Sequence, residues 1–257
     1  MRFTDSHCHV GMLGDEADAA LASARAGGVA GFVAPATKLE DAPQVVALAS
    51  RHADVWAAVG FHPHEAKDFD AAAEVEIRRL ATSERVVAIG EIGLDYHYMH
   101  SPRDTQKDVL LRHFAIAREL DLPVIIHNRE STADLLEILE SVEARGIRGV
   151  LHSYTESWDV ARRLLDRGFL ISFSGIVTFR NADSLREVAR QVPADSLLIE
   201  TDTPFLAPMP HRGKRNEPAF VVDVARVIAE VRGAALENLA EVTSANFERF
   251  FGVRMSP

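Results

Sequence analysis

Eight short apolar, β-rich runs alternate with helical patterns along this chain, and that alternation narrows the fold more than any other feature. The runs read as strands at residues 3–9, 29–34, 55–61, 85–89, 123–126, 149–151, 169–173 and 197–200. Helical patterns lie between them at 16–27, 39–52, 74–80, 101–120, 133–144, 160–167 and 182–192, and two more close the chain at about 219–231 and 236–250. Ser101-Pro102 reads as an N-cap serine with proline in the first turn, Ser131 and Asp134 as a capping-box-like start, and Ser157 as a cap. The strand runs are continuously apolar, as expected where helices cover a parallel sheet. Eight strand–helix units with right-handed crossovers predict an α/β fold, a (β/α)8 TIM barrel forming one domain over residues 1–257. The runner-up, an open doubly wound sheet, favours a glycine-rich phosphate loop after the first strand, and His7-Cys8-His9-Val10-Gly11 is not one.

Chemistry-bearing residues sit at the ends of these runs. Side chains alternate along a strand, so His7 and His9 share a face while the Cys8 thiol points into packing on the other. His7, His62, Glu91, His127, His152 and Asp202 stand at the C-terminal ends of the first, third, fourth, fifth, sixth and eighth runs. In a barrel every strand opens its C-terminal end onto one face, where active sites are built, so distant positions are expected to meet there. A lone histidine at a strand end is an ordinary hydrogen-bonded polar residue. Four such histidines and two acids on one rim point instead to metal. That set exceeds the three or four protein ligands of a single catalytic zinc and suits two ions.

Two-metal hydrolytic sites hold their ions about 3.5–4 Å apart, which calls for a bridging ligand. Glu91 is the natural bridge; otherwise it is a capping or ion-pair acid, and Gly90 and Gly93 beside it read as turn residues. The first and last strands of a closed barrel are neighbours. His7, His9 and Asp202 are therefore expected to share one ion with Glu91, and His127 and His152 to hold the other.

A net charge of −10 argues against a tight non-specific nucleic-acid binder, though bound metals can reverse the sign within one cleft. The single cysteine rules out an intrachain disulfide. With no signal-peptide pattern and no apolar run of spanning length, a soluble cytoplasmic protein without a membrane partner is expected.

Several blocks closely resemble the TatD-like metal-dependent deoxyribonucleases. They are Asp5-Ser6-His7-Cys8-His9, Gly60-Phe61-His62-Pro63-His64, Gly90-Glu91-Ile92-Gly93-Leu94-Asp95-Tyr96, His127-Asn128-Arg129 and Glu200-Thr201-Asp202-Thr203-Pro204, followed by Arg212-Gly213-Lys214-Arg215-Asn216-Glu217-Pro218. The resemblance spans the chain in order. It implies an amidohydrolase-like barrel that hydrolyses phosphodiester bonds, with two divalent ions (Mg²⁺, Mn²⁺ or Zn²⁺) on His7, His9, Glu91, His127, His152 and Asp202. DNA, as single strands or strand ends, is the implied partner, and a monomer is expected. The acidic surface favours an exonuclease that engages strand ends briefly.

Asp202 is expected to bind metal and accept the proton of water, with Glu91 as the catalytic bridge. Arg129 suits a phosphate, since a guanidinium pairs bidentately with phosphate oxygens, and otherwise is a solvated charge. His62 and His64 are expected against the substrate or leaving group. Lys214 and Arg215 read as a basic lip or as exposed charges, and Tyr96 and Trp158 as base-stacking or packing residues. Where this family's loop after the sixth-strand histidine is small and contains Cys or Gly, this chain has Ser153-Tyr154-Thr155-Glu156-Ser157. The alternative enzyme is an amide, lactone or phosphotriester hydrolase on the same barrel; related amidohydrolases often bridge their metals with a modified lysine, where this chain has Glu91. A metal-dependent binder without turnover is a different class, and it would have no need of Asp202 as proton acceptor.

Overall fold

A computed structural model describes residues 1–255. Its strands are β1 (Phe3–Asp5), β2 (Val29–Pro35), β3 (Val55–Val59), β4 (Val86–Asp95), β5 (Val124–Arg129), β6 (Gly149–Leu151), β7 (Leu170–Phe173) and β8 (Leu197–Ile199). The helices are α1 (Ala17–Ala26), α2 (Ala42–Arg51), α3 (Ala71–Ala81), α4 (Arg103–Glu119), α5 (Thr132–Glu140), α6 (Trp158–Leu165), α7 (Asp183–Gln191), α8 (Val221–Arg232) and α9 (Leu236–Phe251). The strands form one sheet in sequence order, with parallel pairing. The end of β8 bonds back to the start of the chain: Ser6 N–H donates to Ile199 O (3.0 Å) and Asp202 N–H to His7 O (2.9 Å). The fold is the expected (β/α)8 barrel.

Two compact units divide the chain, one formed by Met1–Ala34 with the segment from His152 onward, the other by Pro35–Leu151. Phe32, Phe173, Phe247 and Leu21 are fully buried in the first. Cys8 is buried there too, with its thiol 3.6 Å from Val33 O, and burial pushes that thiol well up, as suits a packing residue. Phe114, Ile77, Ile89, Ile92 and Ile125 fill the second. Among the described residues no helix is long and apolar enough to cross a membrane.

Some local expectations fail, each for a tertiary reason. β1 stops at Asp5, so His7 and His9 lie beyond the strand. β4 runs on to Asp95, so Gly90 and Gly93 are strand residues and not turns. Gly93 has φ of 142°, and a Cβ there would stand 2.0 Å from His127 O; one at Gly90 would stand 2.7 Å from Ile125 Cβ. Glycine is what lets β4 and β5 approach so closely. Ser101 does not cap α4. Pro102 takes that position, while Ser101 Oγ donates to His64 O (2.8 Å) and accepts from Lys67 N–H (3.0 Å). Ser131 and Asp134 form no capping box: Ser131 Oγ bonds Leu94 O (2.9 Å), and Asp134 accepts from the Tyr96 hydroxyl (2.7 Å) and faces Lys107 Nζ (2.5 Å). Ser157 stands at the N-cap of α6 without a side-chain bond.

His113, on α4, is fully buried, stacked on Phe69 (centroids 4.4 Å apart) and bonded through Nδ1 to Val109 O (2.8 Å). Burial pushes its pKa from 6.5 down to about 4, so the fold favours the neutral ring. Its contribution to stability is complete above pH 6.5 and is lost as pH falls towards 4, where the unfolded chain binds the proton more tightly. The full effect is about 3 kcal/mol. As pH falls from 7 to 4 the urea midpoint of wild type should therefore drop more steeply than that of His113→Phe. Parallel curves would show that His113 does not govern this acid limb.

Candidate metal centre

In the first unit, His7 Nε2 and His9 Nε2 stand 3.1 Å apart, and Asp202 Oδ1 lies 3.7 and 3.5 Å from them. A point about 2 Å from all three atoms exists, which is the length of a bond from a divalent ion to imidazole nitrogen or carboxylate oxygen. The three side chains are buried or nearly so. The arrangement is sized for a cation. The His152 ring stacks on His7 (3.9 Å, 10°) and joins it and Asp202 in a second three-donor group.

Local structure explains how these donors are aimed. Asp202 has φ of 60°, a left-handed conformation that aspartate tolerates better than most residues. Buried Asn216 holds that turn from outside, donating through Nδ2 to Thr201 O (2.7 Å) and Phe205 O (2.5 Å), and through its backbone N–H to Pro204 O (3.1 Å). The block 212–218 thus enters the site as a clamp on the Asp202 turn. Glu200, fully buried at the end of β8, faces His152 Nδ1 at 3.2 Å and accepts from Ser153 N–H at 2.7 Å. Burial pushes the Asp5 carboxyl up to about 8, against the pull of the Thr201 hydroxyl and N–H.

The second unit carries its own cluster. Glu91 Oε1 is 3.1 Å from His127 Nδ1 and 3.5 Å from His62 Nε2, and the three form a further candidate metal group. His127 turns its other nitrogen, Nε2, to Asp95 Oδ2 (3.1 Å), and His64 Nε2 meets the same oxygen at 3.0 Å. Burial alone would raise the Asp95 carboxyl. Hydrogen bonds from His127, His64 and the Tyr98 N–H outweigh it and hold the group well below the usual carboxylate range. A carboxylate behind an imidazole selects the tautomer and fixes the ring, the arrangement common behind metal-bound histidine.

His152 therefore groups with His7 and Asp202, and His127 with His62 and Glu91. His62, expected against substrate, also offers a ligand atom. Arg129 is exposed at the end of β5 with its guanidinium 4.8 Å above the Tyr98 ring, itself 51% exposed. Tyr96 is instead tied by its hydroxyl to Asp134 and covered by Arg103 (4.3 Å), which is packing. Tyr154 in the departing loop is buried, its hydroxyl bonded to Ser157 O (2.7 Å). Sequence reasoning missed the orienting roles of Asp95 and Glu200, although both stood in the blocks that carried the resemblance.

Replacing Asp95 by asparagine should lower metal affinity by roughly 10–100-fold, because the amide cannot hold His127 as the carboxylate does. Metal titration by calorimetry checks this, and an unchanged affinity would make Asp95 a mere loop anchor.

Comparison with known proteins agrees with this geometry. The family described as TatD related DNase matches residues 4–252. The chain is 46% identical to the uncharacterized metal-dependent hydrolase YcfH of Escherichia coli, over 100% of this chain and 98% of that protein. It is 35% identical to the 3'-5' ssDNA/RNA exonuclease TatD of Erwinia amylovora, over 92% and 93% of the two chains. Among solved structures, the TatD homologue YJJV of Escherichia coli superposes with a TM-score of 0.92 at 31% identity, covering 98% of this chain and 99% of that one. The chain belongs to the TatD related DNase family.

Proposed function

We propose that this protein is a two-metal phosphodiesterase that removes nucleotides from the ends of single-stranded DNA. The observation that carries the reading is the triangle of His7, His9 and Asp202 donors, whose size suits one divalent ion. His62, Glu91 and His127 would hold a second ion, with Glu91 as its carboxylate ligand. The relative from Erwinia amylovora, named a single-strand exonuclease, supports the substrate class.

When bound, the ions supply an acidified water and neutralise charge on the phosphoryl oxygens. The protein's residues do the rest. Asp202 accepts the proton of the attacking water at its carboxylate. Arg129, laid on Tyr98, offers its planar edge to the non-bridging phosphate oxygens. His62 neutralises the leaving oxygen, and His64, on Asp95, borders the substrate.

Exhaustive chelation should abolish hydrolysis of single-stranded DNA, and Mg²⁺ or Mn²⁺ should restore it. RNA and small esters assayed alongside define the substrate class. Full turnover in protein shown metal-free by elemental analysis would overturn the reading.

Glu91→Ala and Asp202→Asn should fail differently. The first should lose at least one ion per chain. The second retains a carbonyl oxygen and part of the metal but has no proton acceptor, so kcat should fall about 10²–10⁴-fold with little change in KM. A near-normal kcat in Asp202→Asn would reduce that residue to a ligand only.

A further inference from the structure

We propose that a cleft on the loops after β7 and β8 binds the phosphate backbone of a nucleic-acid strand away from the bond being cut, a reading that rests on phosphodiester hydrolysis at the metal cluster. The cleft has a volume of about 390 Å³ and is lined by Phe179, Arg180, Asn181, Met209 and Arg212. The Arg212 guanidinium lies 3.9 Å above the Phe179 ring, and Arg180 is exposed beside it. Among the described residues neither has a carboxylate partner. Elsewhere in this unit Arg186 is matched with Asp183, Arg190 with Glu187, Arg215 with Glu16 and Arg226 with Asp223. On a chain of net charge −10, two unmatched arginines in one cleft mark a place where the field turns positive.

The chemistry is that of phosphate recognition. A guanidinium held over an aromatic ring keeps its charge and its N–H donors for bidentate bonding to phosphate oxygens. The cleft is also well supported. Met209 N–H donates to Thr178 Oγ1 (2.8 Å), and the two loops approach so closely that a Cβ on Gly175 would stand 2.1 Å from Leu206 O.

The same rim leads back to the metal donors through Phe205. That ring is 51% exposed, edge-on to His9 with centroids 6.1 Å apart, while the Asn216 clamp holds its backbone. A ring half exposed beside the metal donors presents apolar surface that suits a nucleobase. An aromatic followed by cations along one rim is the pattern of single-strand binding, in which bases stack and phosphates pair.

The test is fluorescence anisotropy of a labelled, hydrolysis-resistant phosphorothioate decathymidylate with the full metal-loaded protein across a salt series. The double variant Arg180→Gln/Arg212→Gln should raise Kd about tenfold and make the salt dependence shallower by about one to two in log–log slope. Phe205→Ala should raise Kd about tenfold with the slope unchanged, since stacking releases no counterions. Arg162→Gln, on α6, should bind as wild type does. An unchanged Kd and slope in the double variant, or a wild type that does not bind, overturns the proposal. Binding lost in the double variant of a protein that cleaves no phosphodiester would support the cleft while refuting the proposed activity.

Discussion

Asp5 joins the first strand to the last, and the metal donors depend on that junction. Its Oδ2 accepts from the Thr201 hydroxyl (2.6 Å), and its Oδ1 from the N–H groups of Thr201 (2.9 Å) and His7 (3.3 Å). Losing that side chain would leave the buried N–H groups of Thr201 and His7 without this acceptor, at about 1–3 kcal/mol each. The junction fixes the register between the His7 and Asp202 segments, which is why Asp202 N–H can reach His7 O and the His9 N–H can reach Thr203 O. A shift of one residue there would move Asp202 out of the triangle it forms with the two imidazoles.

Around the candidate ligands the carboxylates work in two layers. Asp202 and Glu91 offer oxygens within the donor groups, whereas Glu200 and Asp95 stand behind histidines and set how the rings face. The outer acids lie on the same strand ends as the inner ones, Glu200 two residues before Asp202 and Asp95 four after Glu91. Short spacing along one strand end thus supplies both a ligand and the group that aims a neighbouring ligand. The left-handed turn at Asp202 and the long β4 have the same effect, displacing side chains from the alternation an ordinary strand would impose.

That displacement separates what the sequence shows from what it hides. The order of strands and helices is legible because apolar runs and amphipathic periods are local properties, and every expected element is present near its expected position. The donor residues are legible because a barrel gathers strand ends on one rim. The partners of His152 and His127 are not, since strand adjacency puts the two on one ion, whereas His152 groups with His7 and Asp202 and His127 with His62 and Glu91. The glycines of β4 misled for a related reason: a glycine needed for close approach to His127 O has the same local signature as one needed for a turn. Ser101 and Ser131 resemble caps in sequence but bond to distant carbonyls, His64 O and Leu94 O, because tertiary packing offers them those acceptors.

An acidic protein that handles a polyanion must confine its positive potential to the place where the substrate lies. Many arginines on the surface of this chain are unsuited to that task, because a neighbouring acid already neutralises them, as Glu74 does Arg112 and Asp223 does Arg226. Others are guanidiniums held over aromatic rings in place of carboxylates, among them Arg129 on Tyr98 and Arg212 on Phe179. A ring holds the cation in position without cancelling its charge, whereas a carboxylate does both. Ring-supported arginines therefore keep their full attraction for phosphate while the rest of the surface repels nucleic acid. That division is consistent with brief engagement of a strand end and unfavourable to non-specific retention along a duplex.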